Sequence, residues 1–154
     1  MQYKTIVLAY DGTVEGRRAL VEGAALAKRC GAKAHLLAVV KQTASSVIGQ
    51  GFEPGLPDAE QHFYRSTLDQ GVKFLKSHGL DTVGHLVHGD PVEEIIRLAQ
   101  KESADLVVLG HRNRGPLARW WSTPTSMSLI DELGCSVLIG MCDDSKAELA
   151  FPEK

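Results

Sequence analysis

The stretch YKTIVLAYDGT, Tyr3 to Thr13, carries the clearest indication of the fold. Its compact apolar run from Ile6 to Ala9 has the length of a strand that is buried on both faces, which is typical of parallel sheets. Asp11 and Gly12 end that strand, and Thr13 is a suitable N-cap for a helix. The stretch therefore predicts a buried strand that leads through a short turn into a helix.

Strands and helices are predicted to alternate along the rest of the chain. The predicted strands are Ile6–Ala9, His35–Val40, Thr82–Val87, Asp105–Leu109 and Ser136–Gly140. The helices are expected to begin at Thr13, Asp58, Asp90 and Thr123, and three of them to stop at Gly31, Gly79 and Gly134. This order specifies an α/β fold, a doubly wound open sheet of five parallel strands with helices on both faces. The third strand is the most polar and is expected near an edge of the sheet.

The start of the third predicted helix carries three agreeing signals. Asp90 can cap the helix, Pro91 suits its first position, and Glu93 stands where a capping-box acid belongs. A phospho-acceptor receiver domain, which shares this fold class, needs an acceptor aspartate after the third strand and a lysine after the fifth. Because Met141-Cys142 follows the fifth strand, we interpret Asp90 as a cap and set the receiver hypothesis aside.

Length and composition indicate one globular domain. The chain has 154 residues, of which 44% are hydrophobic and 23% charged, and its formal net charge of −2 provides no basic surface for nucleic acid. The 3 cysteines include no CxxC pair, which argues against a disulfide framework. No signal peptide is recognised, and no apolar run approaches the roughly 20 residues of a membrane span. We expect reduced thiols, a cytoplasmic location, a domain over residues 1–142 and a polar tail over residues 143–154.

Candidate ligand groups are expected along one edge of the sheet. In open parallel sheets, ligands bind outside the carboxyl ends of the strands, near the point where the strand order reverses. Those ends are followed by Asp11-Gly12-Thr13, by the loop from Lys41, by Gly89-Asp90 and by the segment from Gly110. The sequence therefore places any small-molecule site among these four loops.

The segment GHRNRGPLARWWSTPTSMSLI, Gly110 to Ile130, is the most informative of the four. Gly110 and Gly115 bracket a basic turn. This suits phosphate, because glycines let backbone amides approach an anion and the following helix start adds N–H donors. A basic surface loop with turn glycines explains the same pattern. Trp120-Trp121 also has two interpretations, as cover for apolar surface or as closure over the ligand loop.

Several other kinds of site are not supported by the sequence. It contains no Walker A motif, and no GxGxxG follows the first strand. His85 and His88 lie three residues apart on one predicted strand, on opposite faces, so they make no metal pair by themselves. No cysteine stands in an arrangement with histidine and an acid that would support a nucleophilic enzyme. The sequence thus assigns no metal site and no catalytic residue.

Four short motifs stand in a specific order and spacing. They are DGT after the first strand, G-D-P-x-x-x-I at the third helix, A-D-L-V-V-L-G-H-R through the fourth strand, and E-L-G-C-S-V-L-I at the fifth. Together they resemble the universal stress protein family over about Lys4 to Gly140. The resemblance implies a Rossmann-like fold of the adenine nucleotide α-hydrolase class, which is usually a homodimer paired through the last strand. The dimer seam would then be Val137, Leu138 and Ile139, whose apolar edge also needs cover on physical grounds.

Members of that family that hold ATP carry glycine, two residues, glycine, nine residues, and then glycine followed by serine or threonine. On this chain the first glycine is Gly110, the second falls on Asn113, and the last pair falls on Thr123-Pro124. The threonine adds a side chain near the phosphates, and the proline removes an amide donor. The amides and hydroxyls of Thr125-Ser126 would still point outward, so an altered anion site can survive.

The resemblance implies a nucleotide site on this chain, with ATP or another adenine nucleotide as its ligand. Asp11 would lie in the pocket, although capping the first helix is an alternative role for it. Ala38 would offer backbone groups to the adenine edge, and Gly89 would border the phosphates. The candidate residues are Asp11, Gly12, Ala38, Val39, Gly89, Gly110, His111, Arg112, Asn113, Gly115, Thr123, Thr125 and Ser126.

Two functions follow from this comparison of motifs. The first is a stress-response protein that binds an adenine nucleotide in a modified pocket and acts by binding or slow ATP hydrolysis rather than by fast catalysis. The second is a homodimeric protein-interaction module of the same family that has lost nucleotide binding. Neither function involves nucleic acid or a membrane.

Overall fold

The computed structural model describes residues 2–41, 56–110 and 130–140. Within these ranges strands and helices alternate, as the sequence predicts. The strands are β1 (Thr5–Ala9), β2 (Lys33–Lys41), β3 (Thr82–Gly89), β4 (Leu106–Gly110) and β5 (Ser136–Gly140). The helices are α1 (Val14–Cys30), α2 (Leu56–Ser77) and α3 (Pro91–Lys101), and residues 130–133 form a helical turn before β5.

All five strands run parallel in one sheet with the order β3-β2-β1-β4-β5. This order confirms the predicted doubly wound α/β fold. β3 lies at an edge, as its polar sequence predicts, and β5 lies at the other. The chain builds the sheet outward from β1 in one direction and then from β4 in the other. The strand order therefore reverses between β1 and β4, which is where a crevice forms in sheets of this kind.

Both faces of the sheet carry an apolar layer. In β1, Ile6 and Leu8 point to the face that α1 and α2 cover, where they pack with Leu20. Val7 points to the opposite face and packs with Ile95 of α3. All three β1 side chains are buried, which is the reason for the unbroken apolar run in this strand.

The ends of α1 are set by its caps. The Thr13 hydroxyl oxygen accepts a hydrogen bond from the Gly16 amide at 3.1 Å, so Thr13 is the N-cap. Gly31 adopts the left-handed conformation with φ of 64° and ends the helix. Both ends confirm the prediction, because capping depends on residues that are close together in the sequence.

The boundaries of four strands differ from the prediction by one or two residues, beginning with β1, which starts at Thr5 rather than Ile6. The pairing of β2 with β3 continues from Ala34 with Thr82 to Lys41 with Gly89, so both strands are longer than their apolar runs. β4 begins at Leu106, one residue later than predicted. The Asp105 carboxylate instead accepts hydrogen bonds from the backbone amides of Lys4 and Thr5, at 2.9 and 3.2 Å, and so ties β4 to the start of β1.

Some predictions concern residues outside the described ranges. The start of the helix predicted at Thr123, the tail over residues 143–154 and the side chain of Asp58 all fall there, whereas the predicted stop of that helix is described: Gly134 follows the helical turn with φ of 62°. α2 begins at Leu56, two residues before the expected cap at Asp58, and Gly79 follows its end with φ of 79°. None of the helices in the described ranges is both long and apolar enough to cross a membrane.

Candidate functional site

The crevice between β1 and β4 opens at the carboxyl ends of these strands. β1 ends at Ala9 and β4 at Gly110, and a short turn joins β1 to α1 at the same edge. On the other side of β1, β2 runs on to Lys41, where it pairs with Gly89 of β3. The candidate residues that the structure describes therefore lie along one edge of the sheet.

Asp11 organises the turn after β1. Its Oδ1 accepts hydrogen bonds from the Thr13 amide at 2.9 Å and from the Thr13 hydroxyl at 2.5 Å. Thr13 in turn caps α1 through the Gly16 amide. The carboxylate thus has the structural role considered from the sequence. Both bonds use the same oxygen, and the residue is exposed, so a ligand hydroxyl can still reach Oδ2.

Gly12 lies under the amino-terminal half of α2. Its φ of 80° is a conformation that favours glycine. A Cβ at this position would lie 3.2 Å from Cγ2 of Thr67 and 3.8 Å from Cζ of Phe63. Burial raises the pKa of neighbouring Tyr64, and the negative charge of Asp11 adds to the rise. α2 therefore covers the outer side of the turn after β1.

Gly110 packs directly against the first turn of α1. A Cβ there would lie 2.8 Å from both the carbonyl carbon and the carbonyl oxygen of Glu15, and 2.9 Å from the amide nitrogen of Gly16. These are backbone atoms, so no change of side-chain rotamer could relieve the contact. The packing of α1 on β4 by itself requires glycine at the first position of the predicted phosphate loop.

The end of β2 directs backbone groups into the crevice. Consecutive residues of a parallel strand bond to opposite neighbouring strands. The Tyr10 amide donates to the Leu37 carbonyl at 2.9 Å, so the backbone of Leu37 faces β1. By alternation Ala38 faces β3, and Val39 faces the side of β1 again. The last pair of β1 with β2 is Ala9 with Leu37, so the backbone of Val39 faces the crevice side beyond that pair, whereas Ala38 pairs with Leu86 within the sheet.

The start of α3 lies at the same edge of the sheet, and the side chain of Asp90 caps it. Asp90 Oδ1 accepts hydrogen bonds from the amides of Val92 and Glu93, at 3.0 and 3.2 Å, and Pro91 takes the first helical position. This confirms the predicted cap. The cap uses two of the amides that an anion at this helix start would need.

Glu94 places a carboxylate next to Gly89. A Cβ at Gly89 would lie 3.0 Å from Glu94 Oε1, and Glu94 is only 8% exposed. The carboxylate forms an ion pair with the guanidinium of Arg97 at 2.5 Å. A phosphate near Gly89 would therefore meet a negative charge that Arg97 only partly offsets.

The remaining candidate residues lie outside the described ranges. They are His111, Arg112, Asn113, Gly115, Thr123, Thr125 and Ser126, together with the tryptophans Trp120 and Trp121. The structure fixes where this segment leaves the sheet, at Gly110 beside α1, and where the chain returns, in the helical turn over residues 130–133. The segment thus leaves the sheet at the crevice, and the chain returns near the carboxyl end of α3, where the Gln100 side-chain amide donates to the Glu132 carbonyl at 2.9 Å.

Comparison with known proteins identifies the family of this chain. The sequence model of the universal stress protein family matches residues 2–139. This chain belongs to the universal stress protein family. A universal stress protein of Thermus aquaticus, encoded in the QAH/OAS sulfhydrylase 3' region, is 29% identical over 147 residues, which cover 89% of this chain and 98% of its own.

Solved universal stress protein structures share the architecture described above. One is a universal stress protein in complex with cAMP, with 21% identity and a TM-score of 0.65, covering 90% of this chain and 97% of its own. Another is the universal stress protein from Archaeoglobus fulgidus in complex with dAMP, with 20% identity and a TM-score of 0.63. It covers 90% of this chain and 98% of its own. At these identities the likeness concerns the fold.

Sequence reasoning missed four side chains near this edge. Phe63 and Thr67 cover the turn at Gly12, Glu94 lies behind Gly89, and Arg17 contacts the buried Tyr10. Burial raises the pKa of Tyr10, against the lowering effect of the Arg17 guanidinium. Helical spacing indicates that Phe63 and Thr67 share a face of α2. Which loop that face covers depends on how α2 packs, so the spacing alone could not identify the contact.

Proposed function

We propose that this protein binds an adenine nucleotide in the crevice between β1 and β4 and acts as a cytoplasmic stress-response domain. The observation that carries the proposal is the end of the β1–β2 pairing at Ala9 and Leu37, beyond which the backbone of Val39 faces the crevice side. Adenine presents an amino donor beside a ring-nitrogen acceptor. A backbone C=O and N–H on one residue complement that pair, so Val39 is better placed than Ala38 to hold the base.

The phosphate side of the proposed pocket is modified. Gly110 keeps the chain close to α1, but the carboxylate of Glu94 lies next to Gly89. The loop sequence also departs from the ATP-holding pattern at Asn113 and at Thr123-Pro124. We therefore expect binding in the micromolar range, with an action based on binding or slow turnover rather than fast catalysis.

The ligands of the similar solved structures support an adenine nucleotide with few phosphates. Those proteins hold cAMP and dAMP, each of which carries a single phosphate. One phosphate requires fewer amide donors than the triphosphate of ATP. A chain whose phosphate loop has lost donors is therefore expected to bind AMP at least as well as ATP.

Calorimetric titration of the full chain with AMP, ADP and ATP tests this proposal. We expect saturable binding of one nucleotide per chain. Asp11→Asn keeps the Oδ1 acceptor that holds the turn but removes the charge, and it should weaken binding about fivefold by removing a ligand contact of about 1 kcal/mol. The matched control is Asp69→Asn, an exposed acid on α2. If none of the three nucleotides gave a heat of binding at millimolar concentration, the proposal would be wrong.

The edge strand β5 favours homodimerisation as a second part of the function. Val137, Leu138 and Ile139 are half-buried in this edge strand, and in the described ranges β4 is the one strand paired with it. An apolar edge strand with unpaired backbone groups is a template for pairing with another chain. If the protein dimerises but binds no nucleotide, the interaction module is the better account.

A further inference from the structure

Three side chains from different elements meet near the amino ends of the strands, away from the proposed nucleotide crevice. His35 lies in β2, His85 in β3, and Glu102 directly after α3. The β2–β3 register pairs Leu37 with His85, so the two histidines are diagonal neighbours on one face of the sheet. That face carries α3, whose carboxyl end brings Glu102 to the pair.

The three side chains are within reach of one ion. Nδ1 of His35 lies 2.9 Å from Nε2 of His85, and the two rings stack with their centroids 5.2 Å apart. Oε2 of Glu102 lies 3.7 Å from Nε2 of His35. One ligand atom from each residue lies within 4.8 Å of the other two. His35 is 3% exposed, whereas His85 and Glu102 are half-buried and leave a path from solvent.

While the two imidazoles are hydrogen-bonded to each other, neither tautomer of His35 forms a hydrogen bond with Glu102. A neutral imidazole has one N–H and one lone pair. If His35 donates from Nδ1, its Nε2 lone pair faces a carboxylate oxygen, and two acceptors then point at each other. In the other tautomer an Nε2–H faces the carboxylate, but 3.7 Å is too long for a hydrogen bond. An imidazole gives one ion one nitrogen, so His35 would bind through Nε2, and its 3.7 Å separation from Glu102 Oε2 is close to the roughly 3.3 Å between two ligands of a tetrahedral ion with bonds of about 2.0 Å.

We propose that His35, His85 and Glu102 form a binding site for a divalent transition metal, with zinc as the expected ion. Two imidazoles and one carboxylate are a donor set that zinc accepts, and the fourth position would be filled by water. Magnesium and calcium prefer oxygen ligands throughout, so the two nitrogens disfavour them. Binding would tie β2, β3 and the end of α3 together at the edge opposite the crevice.

The charges around the site are mixed. Burial lowers the pKa of both histidines, which favours the neutral form that binds metal. Lys33 and Lys101 are exposed cations near the pair and oppose a metal ion, whereas the carboxylate of Glu102 attracts one. Because the lysines are exposed, water and salt screen them more strongly than the buried imidazoles.

Zinc titration of the metal-free protein tests the proposal independently of the nucleotide site. The full chain is stripped with EDTA and titrated calorimetrically with zinc chloride alone, near neutral pH and without nucleotide. We expect one zinc per chain, and weakening of about tenfold or more for His85→Asn and for Glu102→Gln. His88→Asn, an exposed histidine on the same strand, is the matched control and should bind zinc as the wild type does. Magnesium chloride should give no saturable binding.

Cobalt chloride separates this site from binding by cysteines. Cobalt held by imidazole and carboxylate should show the visible bands of a tetrahedral ion without a thiolate charge-transfer band. A charge-transfer band, absence of saturable zinc binding, or unchanged zinc affinity in both His85→Asn and Glu102→Gln would overturn the proposal. Circular dichroism checks that each variant is folded, and the wild-type cobalt spectrum decides the question if one is not.

Discussion

Gly110 and Glu15 lie in direct backbone contact, so that a Cβ on Gly110 would come within 2.8 Å of the Glu15 carbonyl carbon. This contact fixes the first turn of α1 against the end of β4. It therefore sets the width of the crevice at the point where the strand order reverses. The glycine that opens the predicted phosphate loop is thus also a requirement of the fold.

Gly110→Ala should lower the free energy of unfolding by about 1–3 kcal/mol, because α1 must move to accommodate the methyl group. Urea denaturation measures this change. Gly84→Ala is the control, since the nearest atom to its Cβ would be Cγ2 of Val72 at 2.9 Å, a side-chain atom rather than backbone. If Gly110→Ala lowered the free energy of unfolding no more than Gly84→Ala does, the contact with the Glu15 backbone would not require glycine.

Asp90→Ala should destabilise the protein by about 1 kcal/mol, because it removes the acceptor for two amides at the start of α3. Asp90→Asn keeps an oxygen in the same place and should recover most of that loss. Thermal or urea unfolding of the two variants makes the comparison. Equal losses in both would show that charge, rather than capping, is the property that matters at this position.

The metal-free protein should lose stability as the pH falls through the ordinary range of histidine. Burial lowers the folded-state pKa of His35 and of His85 below 6.5, so the unfolded chain binds more protons than the folded chain at mildly acidic pH. The free energy of unfolding is therefore highest above about pH 7 and declines below about 6.5. Urea unfolding in EDTA at a series of pH values measures how the free energy of unfolding changes with pH.

Variants identify which groups cause the change in the free energy of unfolding with pH. His85→Asn should make that change shallower, whereas His88→Asn should leave it unaltered. The charged groups around the two histidines are Glu102, Asp81, Lys33 and Lys101. The acid Glu102 opposes the lowering by burial, so Glu102→Gln should lower the pKa of His35 further. A wild-type slope that His85→Asn does not alter would place the sensitive groups elsewhere.

Leu138→Lys should convert a dimer to a monomer if β5 is the seam. A lysine in the middle of the apolar edge strand would bring two like charges together across the interface and add their desolvation cost. Light scattering at micromolar concentration measures the mass. Ser136→Lys, at the exposed start of the same strand, is the control and should remain dimeric. A monomeric wild type, or a dimer unchanged by Leu138→Lys, would rule out this seam.

Local sequence rules predicted the parts of the fold that depend on neighbouring residues. The caps at Thr13, Gly31 and Asp90 and the bounds of β5 are all of this kind. The start of β4 was predicted one residue early, because Asp105 directly precedes an apolar run but bonds across to the start of β1.

Contacts between side chains on different strands could not be predicted, because they depend on how the strands pair. His85 was considered with His88, its neighbour on the strand, whereas the sheet pairs it with His35 from another strand. Glu102 joins them only because α3 ends there. A sequence without known strand pairing does not specify such contacts. In the same way, the alternation that turns Val39 rather than Ala38 toward the crevice depends on where β1 ends.

Nucleotide binding in the β1–β4 crevice can be tested by amide chemical-shift mapping by NMR, during titration of the full chain with AMP and ATP. Saturable shifts are expected for the amides of Gly12, Val39 and Gly110, with little change at His35 and His85 near the amino ends of the strands. No shift at millimolar nucleotide, or saturable shifts centred away from the β1–β4 crevice, would contradict it.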